Sequence, residues 1–172
     1  MRTLRIRPFR AGEEHRLREV FYSSVHEVAC SHYSKEKRDA WAPRAYDAEA
    51  WVERMRRNRP FVAELDDIIA GFADVQPDGH IDQFFVAKHA VRQGIGSALM
   101  RHLEQHAQTL NLTKLTSHVS LSAQPFFRHS GFLIEAEQTV TVRGVFLANA
   151  RMFKILPTSQ SSQAHDPGVA PG

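Results

Sequence analysis

The chain of 172 residues has the length of one ordinary domain, and 42% apolar with 24% charged residues is a globular balance. That excludes a mainly disordered, collagen-like or coiled-coil protein. The net charge of +3, from 22 Lys and Arg against 19 Asp and Glu, is too mild and too dispersed to mark a nucleic-acid binder. No run approaches the ~18–20 apolar residues needed to cross a bilayer. The start, MRTLRIRPFRAGEEH, lacks the apolar core of a signal peptide, so a cytoplasmic location without membrane contact is expected. The single cysteine, Cys30, leaves no intrachain disulfide.

In chain order, Leu4 and Ile6 alternate as in a short strand. Leu17, Val20, Phe21, Val25 and Val28 recur at spacings of three and four, which predicts a helix over 12–32 with Cys30 buried in it. Asp47 caps a second expected helix, 48–58, carrying Trp51, Val52 and Met55 on its apolar side. Arg54, Arg56, Arg57 and Arg59 read as a solvated helix end. Phe61–Leu65 and Ile68–Val75 are expected strands joined at Asp66-Asp67. Pro77-Asp78-Gly79 marks a turn into a strand from Ile81 to Val86. A helix over 94–110 follows, with Ile95, Leu99, Leu103, Ala107 and Leu110 on one face. Leu115–Val119 is a strand, Pro125–His129 a short helix, and Glu137–Val142 with Phe146–Leu156 a hairpin turned at Arg143-Gly144. Three antiparallel strands followed by a strand-helix-strand crossover give an α+β fold: a mixed, mostly antiparallel central sheet flanked by helices. The domain spans 1–156. The segment 157–172, PTSQSSQAHDPGVAPG, has too little to bury and reads as a flexible tail.

The most informative stretch runs from Phe84 to Ser97. A buried strand feeds a loop, and the loop opens a helix at Gly94-Ile95-Gly96-Ser97. The first N–H groups of a helix lack internal partners and face the positive end of its dipole, so this end suits a phosphate. Gly94 and Gly96 allow close backbone approach. A dinucleotide fingerprint would need glycine at Leu99, and a P-loop would need Gly-Lys-Ser/Thr; both are absent. Two glycines that merely punctuate a helix remain the alternative.

Val91-Arg92-Gln93-Gly94-Ile95-Gly96 resembles the Gln/Arg-x-x-Gly-x-Gly/Ala loop of the GNAT superfamily of acetyl-CoA-dependent N-acetyltransferases, with Val91 in place of the usual Gln or Arg. Ala123-Gln124-Pro125-Phe126-Phe127-Arg128-His129-Ser130-Gly131-Phe132 looks like that family's A-x-x-F-Y-x-x-x-G-F block, with Phe127 where tyrosine is usual. Tyr33-Ser34-Lys35 with Ala40-Trp41-Ala42-Pro43, and Gly79 to Val86, look like a bacterial subgroup. The resemblance covers residues 3 to about 156 and implies the GNAT fold, with a gap between strands 81–86 and 115–120 where acetyl-CoA inserts. It implies coenzyme contacts from Phe84, Phe85 and Val86, from Arg92, Gln93, Gly94, Ile95, Gly96 and Ser97, and from Gln124, Phe127 and Arg128. It implies acetyl transfer to an amine without an acyl-enzyme, and is compatible with a homodimer. A non-catalytic acyl-CoA-binding or regulatory module is the alternative that Phe127 raises.

The chemistry asks for a base. Deprotonating a lysine-like amine at pH 7 costs ~4–5 kcal/mol, and an α-amine ~1–1.5 kcal/mol. Asp82, on the strand beside the gap and among apolar neighbours, is the expected base; His26, Glu27 and His32 are weaker candidates. Tyr33 and Trp41 are expected to line the acceptor pocket, and Tyr33 is one possible proton donor to the departing thiolate. His102 and His106 lie one helical turn apart, away from the apolar face, without the spacing of a metalloprotease pair. No metal is expected.

Overall fold

The computed structural model describes residues 1–158; the expected tail lies, from residue 159, outside the described residues. The chain runs β1 (Leu4–Pro8), α1 (Glu14–Ser23), α2 (Lys35–Trp41), α3 (Ala48–Asn58), β2 (Phe61–Leu65), β3 (Ile68–Ala73), β4 (His80–Ile81), β5 (Phe84–Val86), α4 (Ile95–Thr109), β6 (Lys114–Ser120), α5 (Gln124–His129), β7 (Leu133–Val142) and β8 (Val145–Ile155). The fold is α+β, with antiparallel pairing dominant. Among the described residues no helix is long and apolar enough to cross a membrane.

There are two four-stranded sheets, β1-β2-β3-β5 and β4-β6-β8-β7, and the stretch 80–86 contributes a strand to each. The sequence reads there as one continuous strand, but it breaks at Asp82-Gln83. Its first half pairs in parallel with β6, His80 opposite Thr116 and Ile81 opposite Ser117. Its second half pairs with β3, Phe84 opposite Ala73 and Val86 opposite Gly71. β5 therefore departs from β6, and the two sheets splay.

Helix α4 covers one face. Ile95, Leu99 and Leu103 are fully buried against Ala63, Ala70, Leu115, Phe132 and Met152. Burying each such side chain contributes about 1.5–3 kcal/mol. On the other face Leu17, Phe21, Trp51, Met55, Val62 and Phe72 form a second core. Asp47 caps α3 as expected, accepting the Ala50 N–H at 3.0 Å, and the turn residues Asp66, Asp67, Arg143 and Gly144 all have positive φ.

The first helix departs from expectation. α1 ends at Ser23 and opens into a wider π-helical turn, Ser24–Val28, then a tight turn, Ala29–Ser31. Cys30 rides on that last turn and is exposed, not buried. Helix α2 was not foreseen; Ser34 caps it by accepting the Lys37 N–H at 3.3 Å. His102 and His106 are not simply turned to solvent. Their rings meet the edge of Phe61, with centroids 4.3 and 5.1 Å away. No group of His, Cys, Asp and Glu among the described residues could hold a metal.

Candidate active site at the sheet splay

Two cavities open on either side of the splay. The larger, ≈ 450 Å³, is walled by α1, α3, Asp82, β6 and the β7–β8 hairpin. The smaller, ≈ 350 Å³, is walled by β5, the loop at Arg92 and the start of α4. Trp41, Phe85 and Ser120 line both, so the cavities adjoin where β5 leaves β6.

The smaller cavity gathers most of the expected coenzyme residues. Phe84, Phe85, Val86, Arg92, Gly94, Ile95, Gly96 and Ser97 all line it. Arg92 and Gly94 have φ of 60° and 81°, and this left-handed pair turns the chain so that α4 starts facing the cavity. Gly96 is small for a reason: a Cβ there would lie 3.2 Å from the Phe126 ring. In the ladder between β3 and β5, the Asp74 N–H reaches Gln83 O at 3.0 Å and the Ala87 N–H reaches Ala70 O at 2.9 Å. By antiparallel alternation the N–H groups of Phe84 and Val86 then point the other way, into the gap. Ser122 Oγ, buried on the wall, has no partner among the described residues.

Four expected coenzyme residues lie elsewhere. Gln93 accepts from the Arg2 guanidinium and donates to His89 O at 2.8 Å. Gln124 donates to Val119 O at 3.4 Å, and Arg128 is exposed. Phe127, 2% exposed, is packed among Phe84, Phe126 and Phe132 with ring centroids 4.9–5.8 Å apart; Phe126 is the ring on the cavity wall.

Asp82 does border the larger cavity, but its neighbours are polar rather than apolar. Arg54 grips both carboxylate oxygens at 2.8–3.0 Å, and Asn58 Nδ2 donates to Oδ2 at 2.6 Å. The arginine-rich end of α3 is exposed as expected at Arg56, Arg57 and Arg59, but two of its cations are also paired: Arg54 with Asp82, and Arg56 with buried Glu14 at 3.0 Å. Behind Asp82 lies Asp74, 1% exposed, which accepts from the Asp82 N–H, Gln76 and Asn58. Burial pushes its carboxyl up to about 6.

Tyr33 and Trp41 line the larger cavity as expected. The Tyr33 hydroxyl donates to Ala148 O at 2.6 Å and accepts the Leu121 N–H at 2.9 Å, tying the segment before α2 to β8 and the end of β6. Burial raises its pKa. His118 was missed. It sits on β6, faces the larger cavity, and makes no hydrogen bond with the described residues. Partial burial, with the charges of His80 and Arg151, lowers its pKa from 6.5, while Asp82 acts in the opposite sense.

The chain matches the acetyltransferase (GNAT) domain model over residues 29–152. It is 30% identical over 152 residues to the uncharacterised N-acetyltransferase YafP of Escherichia coli, covering 88% of this chain and 96% of YafP. A solved GCN5-related N-acetyltransferase from Rhodopseudomonas palustris, also described as a class-II aminotransferase, superposes with TM-score 0.85 at 30% identity, over 90% of this chain and 96% of the other. The PaiA N-acetyltransferase of Thermoplasma acidophilum, solved with coenzyme A, shares the fold at TM-score 0.70 and 18% identity, over 89% and 99% of the two chains. The acetyltransferase YncA of Salmonella typhimurium, solved with acetyl-CoA, does so at 0.66 and 18%, over 94% and 99%. By the family model and by these relatives, the chain belongs to the GNAT family of N-acetyltransferases.

Proposed function

We propose that the protein moves an acetyl group from acetyl-CoA to a primary amine by direct attack, with both substrates bound. The observation that carries this is that the two cavities adjoin at Trp41, Phe85 and Ser120. A thioester in the smaller cavity and an amine in the larger one would face each other across that junction. That PaiA and YncA, which share this fold, were solved with coenzyme A and acetyl-CoA supports a coenzyme site in the fold; the glycine-bearing start of α4 is what assigns it to the smaller cavity.

The N–H groups of Ile95, Gly96 and Ser97 would hold the pyrophosphate at the positive end of α4. The Phe84 and Val86 N–H groups are donors for the thioester oxygen, whose charge grows as the amine attacks. The amine nitrogen forms the new C–N bond, the C–S bond breaks, and the sulfur leaves as thiolate. A free thiol has pKa ~8.5, so this thiolate departs tolerably without an acid, and solvent can protonate it. Phe127, lacking a hydroxyl, does not take part.

His118 is the group we assign to receive the amine proton. Its ring nitrogens make no hydrogen bond with the described residues, and its pKa, lowered from 6.5 by partial burial, favours the neutral ring at pH 7. The negative charge of Asp82 steadies the imidazolium that forms. Asp82 itself is the second reading for the base, favoured by its position at the strand break, though Arg54 and Asn58 occupy its oxygens. The reading as a whole is tested by thiol release from acetyl-CoA with a panel of amines. Release that requires the amine is expected; binding of acetyl-CoA without transfer to any amine would make this a binding module.

A further inference from the structure

Among the described residues, the larger cavity holds one buried cation that no carboxylate pairs with. Arg18, on α1, is 8% exposed and borders the cavity. Among the described residues its only hydrogen-bond partner is Pro43 O, at 2.6 Å, and no carboxylate lies within ion-pair distance of it. A guanidinium carries five N–H donors, so most of its donor capacity is unused. The other arginines that line this cavity are Arg54, which pairs with Asp82, and Arg143, which is exposed. Leaving a buried charge unpaired is costly. The aromatic faces of Tyr46, Phe21 and Trp51, 4.1–5.4 Å from the guanidinium carbon, offset part of that cost. They hold the guanidinium as a wall and do not use its donors.

The same cavity has a complementary feature. Gln83, 3% exposed, sits in the strand break, and its Oε1 has no partner among the described residues. An unsatisfied buried acceptor suits an N–H donor. A short aromatic path runs from Arg18 towards the junction: the Arg18 guanidinium is 4.9 Å from the Phe21 ring, and Phe21 is 4.8 Å from Phe85, which lines both cavities. Among the described residues the cavity therefore presents a buried cation without a carboxylate, an unpartnered acceptor two residues before Phe85, and rings from Arg18 to Phe85.

Resting on the acetyltransferase reading above, we infer that the acceptor is a short bifunctional amine whose far end carries an oxyanion, a carboxylate or a phosphate. Arg18 binds the oxyanion, and the amine end lies against Gln83 at the junction. Charge-assisted hydrogen bonds from a planar guanidinium suit either oxyanion.

The test compares kcat/KM on matched series: ω-amino carboxylates of increasing chain length, their methyl esters, and aminoalkyl phosphates of the same lengths. The free acid or the phosphate is expected to exceed the ester about 10- to 100-fold, the scale of a hydrogen bond to a charged group. The preferred series distinguishes carboxylate from phosphate. In Arg18→Gln that ratio falls towards one, mainly through KM, while acetyl-CoA affinity measured by calorimetry is retained. Should Arg18→Gln not fold, the wild-type ratio decides alone. Esters used as well as or better than acids and phosphates overturn this inference and leave the acetyltransferase reading intact. No transfer to any member of any series, with acetyl-CoA bound, overturns both.

Discussion

Asp74 Oδ1 accepts the backbone N–H of Asp82 at 2.9 Å, so a buried carboxyl holds the strand break that separates the two sheets. The Asp74 N–H closes the other side of the ladder on Gln83 O. The same carboxyl also takes hydrogen bonds from Gln76 and Asn58, and Asn58 bridges onward to Asp82. The break opens the gap, and the two cavities adjoin at it. One buried acid thereby connects the sheet geometry with the proposed chemistry.

This arrangement has a pH signature. The Asp74 carboxyl is raised to about 6 in the fold, from 3.8 ordinarily. The folded state then binds more protons than the unfolded state between these values. Its contribution to stability is full below pH 3.8 and is lost as pH rises through 6. Asp74→Asn removes that loss, so the variant gains stability relative to wild type between pH 4 and pH 7, by an amount on the order of 3 kcal/mol. Denaturant unfolding at the two pH values measures the difference. Glu64 and Glu13, whose pKa values are lowered, act in the opposite sense in both proteins and cancel. A difference that does not change with pH would contradict the account.

Gly96 separates steric from electrostatic effects at the coenzyme loop. Gly96→Ala places a methyl 3.2 Å from the Phe126 ring, which must give slightly. Gly96→Asp adds a negative charge where the pyrophosphate is expected. Calorimetry should show acetyl-CoA binding at least about tenfold weaker in the Asp than in the Ala variant. Equal affinities would remove the loop from the coenzyme site.

His118→Gln should lower turnover at pH 7 by about 10²–10⁴-fold, with the loss shrinking at high pH where more amine is already neutral. The acidic limb of kcat/KM in wild type should fall below pH 6.5, in keeping with the lowered His118 pKa, and vanish in the variant. Asp82→Asn should cost less and keep the limb. The reverse pattern would make Asp82 the base. Losses independent of pH in both variants would assign the two residues to positioning.

Phe127→Tyr adds a hydroxyl to a ring enclosed by Phe84, Phe126 and Phe132. With no partner there the hydroxyl costs about 1–3 kcal/mol of stability, and turnover should not rise. A gain of tenfold or more would mean that the ring meets the thiolate after all.

Local signals were legible in the sequence, and signals made by distant residues were not. Asp47 before the Trp51-Val52-Met55 stripe marked α3 to the residue, and Gly94-Ile95-Gly96 marked the start of α4. The break at Asp82-Gln83 was hidden because Ile81, Phe84, Phe85 and Val86 read as one apolar strand, while the residue that holds it open, Asp74, lies eight positions away. Helix α2 is seven residues with only Ala40 fully buried, too short and polar for a period to emerge. Expecting apolar surroundings for Asp82 overlooked Arg54 and Asn58, which reach it from α3. His118 became a candidate only once the pairing of β6 with β8 had set its side of the sheet.

The central claim is direct transfer across the junction, and the mass of the protein and its products after mixing with acetyl-CoA and amine tests it. Cys30, the only cysteine, is exposed beside Ala29, which lines the smaller cavity, so a covalent detour through it would be visible. The account predicts one N-acetylated amine for each thiol released, with the protein mass unchanged throughout. An acetyl group that appears on the protein without amine, and passes to the amine when it is added, would contradict it.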